Sequence, residues 1–314
     1  MKRRRFLAIV ATAAAMSGMP WPDSPARRYN ASGRRIWRWR GSALGAEASM
    51  QIAHDNEANA RRILFDLARE IDRLEDIFSL YRTHSALSRL NRAGRLENPP
   101  MELIELLDRA SGISETTAGT FDCTIQPLWQ LHARHLAAQP DERALDRARA
   151  LVNYRNVDIS SREIRFARPG MAVTLNGIAQ GYITDQISDR LMVHGLNDIL
   201  VNMGEIRAHG LRADGRPWKV GIDRTETVCN LRNAAIATSS PDGTLFAAIP
   251  GRHHLIDPQT GHPARQNTQI SIIAGNATLA DAVSTACAIL DPASRAKLTA
   301  RLQLECVETA LANT

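Results

Sequence analysis

No two of the four cysteines, Cys123, Cys229, Cys287 and Cys306, stand at Cys-x-x-Cys spacing, which removes the common zinc and redox motifs. Cysteines so scattered are expected to be small buried hydrophobes. No run beyond the first 26 residues is long and apolar enough to cross a bilayer, so the mature chain is expected to be soluble. Internal repeats and low-complexity blocks are also missing. The basic excess is small: 39 Lys and Arg stand against 33 acidic residues, for a net charge of +6. About half of that excess lies in residues 1–26, and what remains, without a matching motif, gives no reason to expect a nucleic-acid partner.

What is present begins with Lys2-Arg3-Arg4-Arg5-Phe6-Leu7, followed by small apolar residues to Met16. A basic start and a short apolar core describe an export signal, and the Arg-Arg-x-Phe-Leu order is twin-arginine-like. We therefore expect residues 1–26 to be a signal, 27–35 a linker and 36–314 one domain, located in the periplasm. Within that domain two strands joined at Gly45 are expected over Ile36–Ile52. Helices follow at Asn56–Tyr81, Met101–Thr117, Ile125–Ala138 and Asp141–Leu151, the first on its Ile63, Leu67, Ile71, Leu74, Phe78 stripe. Then come strands at Ala172–Leu175, Asp198–Val201, Trp218–Ile222, Ala234–Thr238, Thr244–Ile249 and Gln269–Ala274, and a helix from Asn176 to about His194. A helical first part and a mixed, strand-rich second part make an α+β chain.

Three features could carry chemistry. Asp281 and Thr285 stand four apart on one helical face, and a carboxylate with a hydroxyl offers hard oxygen ligands that suit magnesium. An acidic first helical turn facing water is the plainer account. Gly177 and Gly181, between a strand and a helix, permit close backbone approach to a ligand, or simply tight packing. Tyr81 could stack on a planar ring or cap a core face, and Asp122 could touch a ligand or cap the helix after it.

Taken in order, Tyr81-Arg82-Thr83-His84-Ser85-Ala86-Leu87-Ser88-Arg89-Leu90-Asn91, Gly119-Thr120-Phe121-Asp122-Cys123-Thr124-Ile125-Gln126-Pro127-Leu128, Gly177-Ile178-Ala179-Gln180-Gly181-Tyr182, His254-Leu255-Ile256-Asp257-Pro258-Gln259-Thr260-Gly261-His262-Pro263 and Ala280-Asp281-Ala282-Val283-Ser284-Thr285-Ala286 resemble the motifs of the FAD:protein FMN transferase (ApbE) family. The resemblance spans about Leu44 to Leu290 and includes members of the exported, nitrous-oxide-reduction type. It implies an ApbE-like fold and a magnesium-dependent enzyme that cleaves FAD, releases AMP and esterifies FMN to a Ser or Thr of an acceptor. The acceptor would be a flavoprotein of a membrane electron-transfer or nitrous-oxide reduction system. Carried over by position, Tyr81, Thr120, Phe121, Asp122, Thr174 and Gln180 would line the FAD site. Gly177 (through its carbonyl), Asp281 and Thr285 would bind Mg2+, and His254 and Asp257 would stand beside the reacting diphosphate. The chain departs from the family pattern where Thr174 replaces Asp, Asn176 Gly, Gln180 Lys and Glu205 a Gly, and where Leu44-Gly45-Ala46 replaces Met-Gly-Thr. Those departures motivate the alternative of a flavin-binding maturation factor that carries FAD without transferring FMN. FAD hydrolysis with water as acceptor is a third possibility.

Overall fold

The computed structural model describes residues 33–135, 138–223, 225–246 and 251–311. The expected export signal therefore lies outside the described residues, as do residues 27–32 of the expected linker. Alternation of buried Ala48, Met50 and Ile52 with more exposed neighbours makes β2 (Ala46–Ala53) a strand with one core face, paired antiparallel with β1 (Ile36–Ala43). Leu44 and Gly45 join them with φ of 48° and 86°, the two positive values that a two-residue hairpin turn of matching twist demands. The chain then forms α1 (Glu57–Phe78), α2 (Ala86–Ala93), β3 (Arg95–Glu97), α3 (Met101–Thr116), α4 (Gln126–Arg134), α5 (Glu142–Arg149), β4 (Val157–Ile159), β5 (Glu163–Phe166) and α6 (Ala179–Val193). After these come β6 (Ile199–Asn202), β7 (Ile206–His209), β8 (Trp218–Gly221), β9 (Val228–Leu231), β10 (Ala234–Ser239), β11 (Thr268–Ala274), α7 (Ala277–Ile289), α8 (Pro292–Leu302) and β12 (Glu305–Ala310).

Seven strands build the main antiparallel sheet in the order β1-β2-β6-β7-β10-β11-β12, so the first hairpin pairs with strands from the second half of the chain. The expected α+β class and its strand-rich second half are what the structure shows. The stripe Ile63, Leu67, Ile71, Leu74 and Phe78 of α1 is buried, together with α6, α7 and the inward faces of β2, β6 and β11. Over β7 and β10 of the sheet, β8 and β9 cover a second cluster of Ala208, Trp218, Val220, Cys229, Leu231 and Ile236. A third, of Leu128, Leu145, Phe246 and Ile256, ties α4 and α5 to the His253–Pro263 segment, with Trp129 edge-on to Phe246 at 5.4 Å.

Some expectations are corrected. Ala172–Leu175 is extended but is not a strand: the Asn91 amide takes both polar groups of Val173 (2.7 Å each), and Thr174 N donates to Cys123 O at 2.8 Å. With its hydrogen bonds spent on a side chain and a loop, the segment has no strand to pair with. Of Thr244–Ile249, Leu245 makes one antiparallel bridge, to His253, and residues 247–249 lie outside the described residues. Ile125 closes a short 3-10 turn, and the helix after it ends at Arg134. Cys123, Cys229 and Cys287 are buried free thiols, and Cys306 is a half-buried one. No described helix is long and apolar enough to cross a membrane.

Candidate functional site

The site is assembled where α6 meets α7. Asp185 of α6 accepts from the first two free amides of α7, Ala277 N at 2.9 Å and Thr278 N at 2.8 Å, and from the Thr278 hydroxyl at 2.6 Å. A carboxylate at a helix N-terminus satisfies amides that the helix itself leaves unbonded. The two helices then touch: a Cβ on Gly181 would stand 2.3 Å from Ala277 O, so only glycine fits there. This contact brings Gly181 N to Asp281 Oδ2 at 3.0 Å. One turn on, Thr285 Oγ1 lies 2.9 Å from where a Gly177 Cβ would be, and the Phe121 ring 3.5 Å from the same point. The three residues expected to bind magnesium, Gly177, Asp281 and Thr285, are thus brought together.

Of the two alternatives weighed for the glycine pair, tight packing is what the structure shows at both positions. Gly181 serves helix packing, and Gly177 lets backbone approach the Thr285 hydroxyl. Asp281 does not face water as an acidic first turn would; it is 4% exposed. Burial, with Asp185 nearby, pushes its carboxyl up to about 7. The neighbour sequence reasoning missed is Glu205, 9% exposed, in the turn between β6 and β7. Burial and the Asp281 charge hold it well above the usual carboxylate range. Its only sequence signal was the place where the family pattern has glycine. A divalent cation fits this donor set: the oxygens are hard, the carboxylates are buried, and no Lys or Arg among the described residues pairs with either.

Thr120, Phe121 and Asp122 form the loop between this centre and a cleft of about 960 Å³ lined by Thr120, Asp257, Thr260, Arg265, Lys297 and Arg301, among others. Asp122 is occupied structurally. It accepts from Thr124 N (2.8 Å), the Thr124 hydroxyl (2.6 Å) and Tyr154 N (3.0 Å), so it caps the turn at 123–125 and holds the loop in place. Thr174 Oγ1 accepts from Asn176 N at 3.3 Å. The Gln180 side chain lies against Gly204, where a Cβ would come within 2.6 Å of its Cδ.

Tyr81 caps no core face: it is 72% exposed, on a loop held rigid from below. Ser79 Oγ accepts from Tyr81 N and Arg82 N, and the Arg82 guanidinium clasps Asp72, Glu75 and Asp76 of α1. An exposed aromatic on a fixed loop is available for stacking. Tyr81→Ala is expected to weaken FAD binding several-fold, from a stacking contribution of about 1 kcal/mol, with the melting temperature unchanged. A flavin titration beside a thermal melt checks both halves.

His254 and Asp257 sit on the segment clamped by α4 and α5, where His132 Nε2 donates to Gly261 O (2.8 Å) and Arg149 to Gln259 O (3.0 Å). Asp257 shapes the Asp-Pro-Gln-Thr-Gly turn, accepting from Gln259 N (2.8 Å) and the Thr260 hydroxyl (3.1 Å). His254 Nδ1 donates to Thr244 O at 3.2 Å, which leaves the lone pair on Nε2. Burial drops this imidazole to about 4, and it lowers His132 and His253 as well. A histidine whose folded value lies below its unfolded value of 6.5 contributes stability that is present above pH 6.5 and lost as the pH falls through about 4. His254→Gln should therefore lose less stability than the unsubstituted protein between pH 7 and 4. Urea midpoints at both ends of that range test it, and parallel losses would sink it.

Comparisons with known proteins bear on the family and the fold. The family model described as the ApbE family matches residues 44–308. The FAD:protein FMN transferase of Treponema pallidum is 32% identical over 249 residues, 69% of this chain and 68% of its own length. That of Vibrio cholerae is 25% identical over 299 residues, 90% of this chain and 86% of its own. Among solved structures, the apo form of Pseudomonas stutzeri flavinyl transferase ApbE matches with a TM-score of 0.80 at 24% identity, covering 90% of this chain and 93% of that one.

Proposed function

The chain belongs to the ApbE family, and on that premise we propose that it transfers FMN from FAD to a Ser or Thr hydroxyl of an acceptor protein, with magnesium, releasing AMP. The observation that carries this reading is the meeting of Gly177, Asp281 and Thr285, hard-oxygen donors drawn from two segments about a hundred residues apart. Bound there, magnesium would supply positive charge against the diphosphate. The protein's own residues do the rest. Tyr81 offers a face to the flavin ring, and the fixed Thr120-Phe121-Asp122 loop shapes the wall between the metal centre and the cleft, whose volume suits a large ligand.

In the transfer, the acceptor oxygen forms a bond to the FMN phosphorus, and the P–O bond to AMP breaks with its electron pair leaving on AMP. The acceptor's proton needs a base. His254 Nε2 suits this better than Asp257, because the imidazole is neutral near pH 7 with a free lone pair while the Asp257 carboxylate is spent on its turn. The arginine-rich start supports export to the periplasm, where the acceptor would belong to a membrane electron-transfer or nitrous-oxide reduction system. The test is incubation of the mature protein with FAD, magnesium and a candidate acceptor. A gain of one FMN on a Ser or Thr, with AMP released, is expected; FAD bound with no acceptor modified would favour the carrier reading.

A further inference from the structure

Two of the departures noted in the sequence fall one residue from contact in space. Gln180 lies against Gly204, the residue directly before Glu205. Glu205 Oε2 accepts from Thr238 N at 3.1 Å, and its other oxygen takes no hydrogen bond among the described residues. The adjacent Ser239 hydroxyl reaches Ser284 Oγ at 2.8 Å and Thr285 Oγ1 at 3.3 Å. The Thr238-Ser239 dipeptide at the end of β10 thus anchors Glu205 on one side and Thr285 on the other. Asp281 completes the group, close enough to Glu205 for the two carboxylates to repel. Arg207 of β7, two residues after Glu205, is committed to Asp185 (3.0 Å) and Asp189 (2.8 Å) of α6.

Two buried carboxylates within each other's field are stable if they share a proton or a cation. Resting on the transferase reading above, we propose that Glu205 is a second carboxylate ligand of the divalent-cation site, so that with Asp281 it holds magnesium before FAD arrives. Together the carboxylates balance a dication outright, and the charge of the ligand set is a main determinant of affinity for such ions. With glycine at 205 and lysine at 180, one carboxylate and one ammonium would cancel. The cation would then depend on the diphosphate for its countercharge. Glu205 and Gln180 move this site two charges toward the metal.

The test uses Mn2+ as probe on the mature protein without FAD, followed by electron paramagnetic resonance and titration calorimetry. The unsubstituted protein is expected to bind Mn2+, Glu205→Gln to bind it about tenfold more weakly or worse, and Asp281→Asn to lose binding. Glu205→Gly provides the same reading should the glutamine disturb packing, and melting in EDTA reports folding for each. Glu205→Gln, which keeps an oxygen for Thr238 N, should melt in EDTA at or above the unsubstituted temperature, because a repelling charge has gone. Mn2+ affinity unchanged in Glu205→Gln, while Asp281→Asn loses it, would overturn this role and leave the magnesium site standing, the carboxylates sharing only a proton. Failure of Asp281→Asn to weaken Mn2+ would instead reject the magnesium site itself. No Mn2+ binding by the unsubstituted protein until FAD is added would overturn the metal-first order.

Discussion

Asp281→Asn is expected to lower FMN transfer by roughly a thousandfold or more, since a lost metal charge at a transferring phosphoryl group is worth several kcal/mol. The fold should survive. Asparagine keeps an oxygen for Gly181 N, which donates to Asp281 Oδ2 at 3.0 Å, and it removes a buried charge and no volume. The pH behaviour separates this from a packing defect. Asp281 rises from 3.8 to about 7 in the folded, metal-free protein, so its contribution to stability is present below pH 4 and lost as the pH climbs through 7. In EDTA the asparagine variant should therefore gain on the unsubstituted protein steadily from pH 4 to above 7. With magnesium the gain should shrink, because the cation stabilises only the carboxylate form. Magnesium-dependent turnover persisting at the original rate in Asp281→Asn would remove this residue from the site.

Why Asp281 could be singled out from the sequence, and Glu205 only as a departure, follows from where their partners lie. Asp281 and Thr285 are four apart on one helix, so helical geometry alone puts them on one face. The α1 stripe was legible for the same reason, and so was the β1–β2 hairpin, whose turn residues are adjacent in sequence. Glu205 meets Asp281 across 76 residues, through a turn that pairs β6 with β7 and a strand end that presents Thr238 N. No local period encodes such a contact. Asp122 was legible in part, because a cap bonds to residues near it in sequence. Of the two roles its sequence position allowed, ligand contact or cap, the structure shows the cap: its oxygens accept from Thr124 and Tyr154 and fix the loop. Ala172–Leu175 reads as a strand because its residues are apolar and extended; what denies it a partner is Asn91, 82 residues earlier. β12 and α8, which complete the sheet edge and its cover, gave no signal that stood out from the polar stretch around them.

The charge at positions 180 and 205 should set whether FAD or metal binds first, and the series Gln180→Lys, Glu205→Gly and the double substitution reads this directly. Without metal the raised Asp281 and Glu205 carboxyls hold on to a proton, so the comparison is made at alkaline pH, where the pair carries its charge and FAD brings a diphosphate with two more negative charges. Without metal, the two repel. Each substitution removes one unit of that repulsion, and a partly screened charge at such distance contributes on the order of 1 kcal/mol or somewhat more. The double variant should therefore bind FAD in EDTA between about ten and a hundred times more tightly than the unsubstituted protein, each single variant falling between. Gln180→Lys alone should gain less than the arithmetic suggests. The side chain at 180 lies against Gly204, so a lysine there has Glu205 beside it and can pair with that carboxylate before the diphosphate. Removing Glu205 frees it, and the two changes should reinforce each other. Saturating magnesium should compress the differences, because the cation already neutralises both carboxylates. FAD affinity in EDTA that stays flat across the four proteins would show that positions 180 and 205 do not face the diphosphate. Measured in parallel on an acceptor, FMN transfer by the double variant but not by the unsubstituted protein would mean that the departures at Gln180 and Glu205 turned a transferase into a carrier of FAD.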